Sequence, residues 1–285
     1  LMGSNVYAGF WDLEKTLDTT DPNGITVREA LESTGYLGSD TPPKIASYVE
    51  LHIEQGRILE REGITIGAVD QSWYTQKLVV KVLGEQSHTG ATIMADRHDA
   101  LCAAAEIVLA AEKVVEHFTP EQIVTSVGKF DVLPNSPIVV PRQVDLVIDL
   151  RADLQADVEK ARDILKEQIA EIAARRDLTI EAVDFDIRDI QHYPVEGTEL
   201  TEKAAADAGV SVKRMRTMAG HDSVAMNRIV PAVMVFVPSE GGVSHCEREF
   251  TSDEDLVKGV AVLTGIVQRM ATGALDGVAP GEPVE

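Results

Sequence analysis

The chain has 285 residues, of which 44% are hydrophobic and 26% are charged, and these values predict a folded protein with two domains. No apolar run approaches the roughly 18 to 20 residues of a membrane span, so a membrane protein is excluded. The net charge of -21 and the pI near 4.7 argue against a nucleic-acid partner and fit a cytoplasmic enzyme or one adapted to high salt.

The cysteines and the first residues bear on the cellular compartment. Cys102 and Cys246 are too few for a disulfide framework and favour a reducing compartment, the cytoplasm. The opening Leu1-Met2-Gly3-Ser4 lacks the basic start and the apolar stretch of a signal peptide. Because the chain also opens with Leu, we expect it to have been cut from a longer one.

The first predicted elements are a short helix and a strand. Thr26 and Glu29 form a capping box for a helix that closes at Gly35. Residues 46–55 alternate enough to predict a strand, and side chains two positions apart on a strand share a face. That face carries Glu50, His52 and Glu54.

Residues 74–190 change periodicity in the order β-α-β-β-α-β. Strands are predicted over residues 76–83, 123–130, 144–151 and 179–187, and helices over 97–117 and 157–175. The first helix is predicted to bury Leu101, Ala104, Val108, Ala111 and Val115, and the second to bury Val158, Ala161, Leu165, Ile169 and Ile172. This order predicts an inserted ferredoxin-like α+β domain.

The remaining elements belong to one flanking α/β layer. A helix is predicted over residues 200–209, a strand buried on both faces over 232–237, and a final helix capped at Thr251 to Glu254. The tail from Gly273 is predicted to fray. The fold class is therefore α/β, with domain parts at residues 1–73 and 191–285 around the inserted domain.

Two segments carry a resemblance to a known family: Glu50-Leu51-His52-Ile53-Glu54-Gln55-Gly56 and Gly241-Gly242-Val243-Ser244-His245-Cys246-Glu247. They resemble the second and last metal-ligand segments of the M20-type metallo-amidohydrolases, in the branch of N-carbamoyl-L-amino acid hydrolases, allantoate amidohydrolases and β-ureidopropionases. The resemblance extends to about Gly273. It implies a partial metallopeptidase-like α/β catalytic domain whose inserted βαββαβ domain mediates dimerisation.

The resemblance implies a metal site. His52 and His245 match metal ligands, and four nearby residues are expected to support them: Glu50, Glu54, His221 and Asp222. The complete enzyme would bind two divalent ions, zinc, manganese or cobalt, and no organic cofactor. From the residues alone, a strand histidine is more often a packing residue, and a Gly-Gly segment is more often a surface turn.

The resemblance also implies substrate-binding residues. His88 is expected to reach across a homodimer interface and polarise the scissile carbonyl, although Ala91 and Ile93 depart from the family pattern. The other residues expected to bind the substrate are Gln55, Asn135, Arg151 and Gly242. The alternatives from the residues alone are that His88 caps the helix or faces solvent, that Asn135 is a turn residue and that Arg151 is a solvated ion-pair residue.

The implied reaction is metal-dependent hydrolysis of the carbamoyl (ureido) C–N bond of an N-carbamoyl amino acid or allantoate, with release of ammonia. The family's other ligand patterns, His-x-Asp and Glu-Glu, normally lie upstream and occur nowhere in these 285 residues. We therefore expect this chain alone to be inactive. Two alternatives stay open: a non-catalytic dimeric scaffold or binding module, and an aminoacylase or dipeptidase of the same superfamily.

Overall fold

The computed structural model describes residues 1–281, which form two compact units. One unit is built from both ends of the chain, Leu1–Ser72 and the residues from Gln191 onward, and the other is the continuous segment Trp73–Ile190 between them. In the described part of the chain, no helix is both long and apolar enough to cross a bilayer.

The elements are numbered in chain order. The helices are α1 (Met2–Tyr7), α2 (Leu13–Leu17), α3 (Val27–Thr34), α4 (Ile58–Glu62), α5 (Ala100–Lys113), α6 (Gln155–Arg176), α7 (Val195–Asp207), α8 (Asp222–Met226) and α9 (Asp253–Met270). The strands are β1 (Tyr48–Ile53), β2 (Ile66–Ser72), β3 (Tyr74–Leu83), β4 (Ser87–His88), β5 (Ile123–Leu133), β6 (Val139–Val140), β7 (Gln143–Ala152), β8 (Thr179–Arg188), β9 (Val212–Thr217) and β10 (Ala232–Val237).

The first unit is organised around a mixed sheet of order β1-β10-β2-β9. Strands β1 and β10 are parallel, so that Tyr48 lies opposite Ala232 and Ile53 opposite Val237. Every residue of β10 is buried, which confirms the prediction made from its apolar run. Its odd-numbered residues pack with α7 and α9, and its even-numbered residues pack with Leu59 and Tyr193 on the other face.

Several features of this unit differ from the predictions. Strands β2 and β9 and the short helices α1, α2 and α4 lie outside every predicted element. Helix α7 begins five residues before the predicted start at residue 200 because Pro194 precedes its first turn. The predicted fraying is wrong for the described tail: Leu275 is buried, and the Gly281 N–H donates to the Asn227 carbonyl at 2.8 Å. Residues 282–285 of that tail lie outside the described residues.

The second unit has an antiparallel sheet of order β5-β7-β3-β8, with α5 and α6 packed on one face. The long elements follow the predicted order β-α-β-β-α-β, which is the split βαβ arrangement. On β7 the predicted inward residues are all fully buried: Val144, Leu146, Ile148 and Leu150. The five residues predicted to line α6 are its buried ones. A small ladder of β4 with β6 lies outside the predicted elements.

The buried face of α5 differs from the predicted one. Leu101 was assigned to the core but is 36% exposed, and the residues that α5 buries are Ala100, Ala103, Ala104, Ile107 and Ala111. Because α5 is apolar around most of its circumference, periodicity allowed more than one face. The face rich in alanine packs against the sheet because small side chains let a helix approach closely.

Candidate metal and substrate site

The site begins on β1, which presents Glu50 and His52 from one face. These residues lie opposite Met234 and Phe236 of β10. The third residue, His221, directly precedes α8. Potential ligand atoms of Glu50, His52 and His221 all lie within 4.8 Å of one another. The two imidazole rings are 4.5 Å apart between centroids, and the His221 ring centroid lies 5.4 Å from that of Phe236.

His52 has a defined tautomer in this arrangement. Its Nδ1 lies 2.6 Å from the carbonyl oxygen of Ile53. Because a carbonyl oxygen only accepts hydrogen bonds, Nδ1 carries the proton and donates it. In the neutral ring Nε2 then keeps its lone pair, which is the form in which an imidazole binds a cation.

His221 is buried, with 2% of its surface exposed. Its Nε2 lies 2.9 Å from the Thr217 hydroxyl oxygen, and that hydroxyl donates to the Ala219 carbonyl. The Thr217 oxygen therefore accepts from Nε2–H, and Nδ1 holds a lone pair. In the described structure this Nδ1 atom has no hydrogen-bond partner. Burial, followed by the neighbouring His52, lowers the pKa of His221 to about 3, so the ring is neutral.

Glu50 completes the group and is held by its second oxygen. Oε2 accepts the Ser223 N–H at 2.7 Å and the Tyr48 hydroxyl at 3.3 Å. The other oxygen, Oε1, lies 3.8 Å from Nδ1 of His221. Burial raises the pKa of Glu50, although the Ser223 N–H acts in the opposite direction. One carboxylate oxygen and two imidazole nitrogens thus converge, a ligand set that suits a divalent transition metal or zinc.

His245, the other predicted ligand, is an exposed residue that follows the Gly241-Gly242 turn. Its N–H donates to the Glu249 carboxylate at 2.8 Å, and Gln55 Nε2 donates to the Ser244 hydroxyl at 3.0 Å. The His245 N–H lowers the pKa of Glu249, and the imidazoles of His245 and His52 add to this effect. His245 does not belong to the group formed by Glu50, His52 and His221.

The turn before His245 contacts the segment after β1. Gly242 has a positive φ of 63°, and a Cβ at this position would collide with the Arg57 side chain and lie 3.3 Å from the Gly56 carbonyl carbon. The Gly241 N–H donates to Glu60 Oε1 at 2.9 Å. The predicted substrate residues Gln55 and Gly242 therefore lie on neighbouring loops of one unit.

Glu54 and Asp222, both predicted to support the metal site, contact other parts of the unit. Glu54 is buried, and its two carboxylate oxygens accept the N–H groups of Ile58 and Leu59 at 2.8 and 2.9 Å. It therefore caps the first turn of α4. Asp222 is the first residue of α8 and accepts the Ser4 hydroxyl at 2.7 Å.

Replacing Glu54 by Ala is expected to lower the free energy of unfolding by about 2–3 kcal/mol, because two charge-assisted hydrogen bonds are lost and the Leu59 N–H stays buried. Urea denaturation followed by circular dichroism measures this change. The matched control is Glu62→Ala at the exposed end of α4, which should leave the midpoint unchanged. Equal effects of the two substitutions would contradict the capping role.

His88 in the second unit also has a defined tautomer. Its Nδ1 accepts the N–H groups of Gly90 and Ala91 at 3.0 and 3.1 Å. The proton therefore lies on Nε2, and the exposed ring presents an N–H donor. Both the turn-capping role and the donor required to polarise a carbonyl are compatible with this geometry.

The two residues expected to hold a substrate carboxylate also lie in the second unit. Asn135 is exposed and has a positive φ of 54°, directly after the cis Leu133–Pro134 bond. Arg151 lies on the sheet face opposite the helices and makes a two-point contact with Asp149 at 2.8 and 2.9 Å. The contact orients the guanidinium plane. It is also the ion pair that the residues alone suggested.

His221, expected to support the metal site, lies with its Nδ1 in the same group as Glu50 and His52. The signal present in the sequence was Gly220-His221-Asp222, directly before α8. The roles of Thr217 and Tyr48, which each contact one member of the group, carried no sequence signal.

Comparison with known proteins gives consistent matches. Residues 17–269 match the model of peptidase family M20/M25/M40. A Mycolicibacterium smegmatis protein, whose name describes it only as a hydrolase, is 46% identical over 99% of this chain, and a Bacillus subtilis allantoate amidohydrolase is 30% identical over 94%. A crystal structure of a hydantoinase/carbamoylase family amidase from Burkholderia vietnamiensis superposes with a TM-score of 0.87 and 32% identity over 94% of this chain. The chain spans 66% of the length of each.

Proposed function

The chain belongs to peptidase family M20/M25/M40, and from this premise we propose that it serves metal-dependent hydrolysis of a carbamoyl or ureido C–N bond. The substrate is a small carboxylate, an N-carbamoyl amino acid or allantoate, and the reaction releases ammonia. The observation that carries the proposal is the convergence of Glu50, His52 and His221 within 4.8 Å. The names of the allantoate amidohydrolase and the carbamoylase-family amidase support the substrate class.

The proposed cofactors are two divalent ions of zinc, manganese or cobalt, with His52 and His245 among their ligands. The residues fit such ions, because the contact of His52 Nδ1 with the Ile53 carbonyl leaves Nε2 of the neutral ring as the coordinating atom, and the buried Nδ1 of His221 has no partner in the described structure. A bound divalent ion would polarise the substrate carbonyl and lower the pKa of a water molecule. Glu50 would fix the ligand geometry through its contact with the Ser223 N–H.

Residues of the chain itself would bind and orient the substrate. Arg151, held in plane by Asp149, and Asn135 would bind the carboxylate, while Gln55 and Gly242 would line the pocket. His88 would donate its Nε2–H to the scissile carbonyl oxygen. We further propose that residues 74–190 mediate a homodimer in which His88 serves the partner's site, and that the protein is cytoplasmic, as its two free cysteines suggest.

A substrate panel with ammonia as the readout tests this function. The product of the complete reading frame, supplied with Zn²⁺ or Mn²⁺, is expected to release ammonia from N-carbamoyl-L-amino acids, N-carbamoyl-β-alanine or allantoate. The 285-residue chain alone is expected to show negligible turnover, because the family's proton-accepting Glu-Glu pair does not occur in it.

N-acetyl amino acids and dipeptides are the controls for the aminoacylase and dipeptidase alternative. Faster cleavage of these compounds than of any ureido substrate would reject the proposed substrate class. A metal-loaded complete protein that cleaves nothing would favour the scaffold alternative. Ammonia release by the 285-residue chain would overturn the predicted inactivity of this chain.

A further inference from the structure

We propose that Lys77 and Arg188 bind a second carboxylate of the substrate, so that the preferred substrate is an N-carbamoyl amino acid with an acidic side chain. The inference rests on the proposed function, in which Arg151 binds the first carboxylate. It deepens that function by choosing among the ureido carboxylates on the basis of charge. Lys77, Asp186 and Arg188, called here the Lys77 cluster, lie in the unit Trp73–Ile190 and are joined by ion pairs.

The first argument is the register of the sheet. Thr75 of β3 lies opposite Arg151 of β7 on one side and opposite Arg188 of β8 on the other. Residues opposite each other share a face, and neighbouring strands are about 4.8 Å apart, which places the two arginine Cα atoms about 10 Å apart. Lys77, two positions after Thr75, lies on the same face. A substituent on the carbon that carries the first carboxylate would therefore lie near Lys77 and Arg188.

The second argument is a β-bulge that places Arg188 on this face. Strand β3 has one residue between the partners of Phe185 and Arg188, whereas β8 has two residues between Phe185 and Arg188 themselves. The extra residue shifts the alternation, so Arg188 points to the same face as Phe185. Asp186 lies in the bulge and has a positive φ of 48°, which is uncommon for a residue other than glycine. Bulges of this kind re-aim side chains and are frequent next to binding sites.

The third argument is the charge of the Lys77 cluster. The Lys77 ammonium donates to Asp186 Oδ2 at 2.5 Å, and Arg188 donates its Nε and Nη2 to the two Asp186 oxygens at 2.9 and 2.6 Å. Burial raises the pKa of Asp186, but Arg188 and Lys77 outweigh it and the net shift is downward, so this carboxylate is ionised. Two cations and one carboxylate leave one positive charge, which matches one further carboxylate.

The fourth argument is the geometry of the donors. Arg188 contacts Asp186 through Nε and Nη2, so its Nη1 lies outside that contact, and an ammonium has three N–H donors, of which Asp186 takes one from Lys77. The two-point contact fixes the plane of the Arg188 guanidinium, as Asp149 does for Arg151. An apolar substituent would remove water from these charges without replacing its hydrogen bonds, whereas a carboxylate replaces them.

The test compares N-carbamoyl-L-glutamate with N-carbamoyl-L-glutamine, which has the same shape without the charge, and with N-carbamoyl-L-leucine. The aspartate and asparagine compounds form a second pair with a shorter side chain. In the complete protein supplied with Zn²⁺ or Mn²⁺, kcat/KM for ammonia release should be about 10- to 100-fold higher for the acid than for its amide in at least one pair. Allantoate, whose second group is a neutral ureido group, should behave like the amides.

Lys77→Met keeps the length of the side chain and removes its charge. It should lower the ratio of kcat/KM for the glutamate compound to that for the leucine compound by about 10- to 100-fold. Lys81→Met is the matched control and should leave the ratio unchanged, because Lys81 is an exposed lysine on the same face of β3 that lies opposite Asp145 and Glu181. If Lys77→Met does not fold, Arg188→Met should lower the ratio and Arg188→Lys, which keeps the charge, should lower it less.

The inference is overturned if neither acid is preferred to its amide, or if Lys77→Met and Lys81→Met change the ratio equally. Failure of the proposed function has a different signature, which is release of no ammonia from any ureido compound. In that case the dissociation constants of the same compounds, measured by isothermal titration calorimetry, decide the inference. Tighter binding of the acid that Lys77→Met abolishes supports it, whereas equal binding of acid and amide, or binding of neither, overturns it.

Discussion

Replacing Ile148 by Ala should lower the free energy of unfolding of the unit Trp73–Ile190 by about 2–5 kcal/mol. Ile148 is fully buried on the face of β7 that packs against α5 and α6. Truncation removes apolar contacts and leaves a cavity in a core that has little freedom to collapse. Since domains are typically stable by only 5–15 kcal/mol, the loss should be visible as a lower urea midpoint.

Val147, the preceding residue, provides the matched control. It points to the opposite face of the same strand and is half-buried. Val147→Ala should therefore cost less than about 1 kcal/mol, and Ile148→Val should lie between the two at about 0.5–1.5 kcal/mol. Similar losses for Val147→Ala and Ile148→Ala would show that the two faces of β7 do not differ as described.

In the complete protein, His88→Ala should lower kcat/KM for ammonia release by about 10²- to 10³-fold, as expected when a donor to a developing oxyanion is removed. The reason is the tautomer: the N–H groups of Gly90 and Ala91 bond to Nδ1, so the proton lies on Nε2 of an exposed ring. The metal content should stay unchanged, because His88 is not a proposed ligand. His117→Ala, an exposed histidine of the same unit, is the control and should keep full activity.

The same variant tests the proposed dimer. If His88 serves the partner's site, mixing inactive His88→Ala with inactive His52→Ala subunits should restore about a quarter of the activity, because half of the dimers are mixed and each mixed dimer has one intact site. Absence of recovery after the subunits have been shown to exchange would reject a shared site. A loss below threefold in His88→Ala would reject its catalytic role altogether.

Much of the second unit could be predicted because the apolar pattern of most of its elements allows only one face to be buried. On β7, apolar and polar residues alternate, so only one face can be buried, and α6 carries a single apolar stripe. On α5, apolar residues surround most of the helix and the buried face could not be chosen. Strand β9 was hidden because its sequence, Val212-Lys213-Arg214-Met215-Arg216-Thr217, is short and half charged.

The site was less predictable than the fold for a different reason. His52 stood out because it lies within a seven-residue motif, but the importance of His221 depends on the position of Glu50, 171 residues earlier in the chain. Its tautomer depends further on the Thr217 hydroxyl. Glu54 was expected to support the metal site because of its place in the motif, and the contacts of its carboxylate with the first turn of α4 could not be read from that motif.

The loop after β1 and the turn before His245 are joined at several points: Gln55 to Ser244, Glu60 to Gly241, and Arg57 packed over Gly242. Two loops that are more than 180 residues apart in the chain are therefore held together by hydrogen bonds. Chimeras with relatives should accordingly exchange residues 55–60 and 239–245 together. Exchanging one loop alone would break the contacts between the two loops. Exchanging both together should preserve folding and transfer any difference in ligand preference.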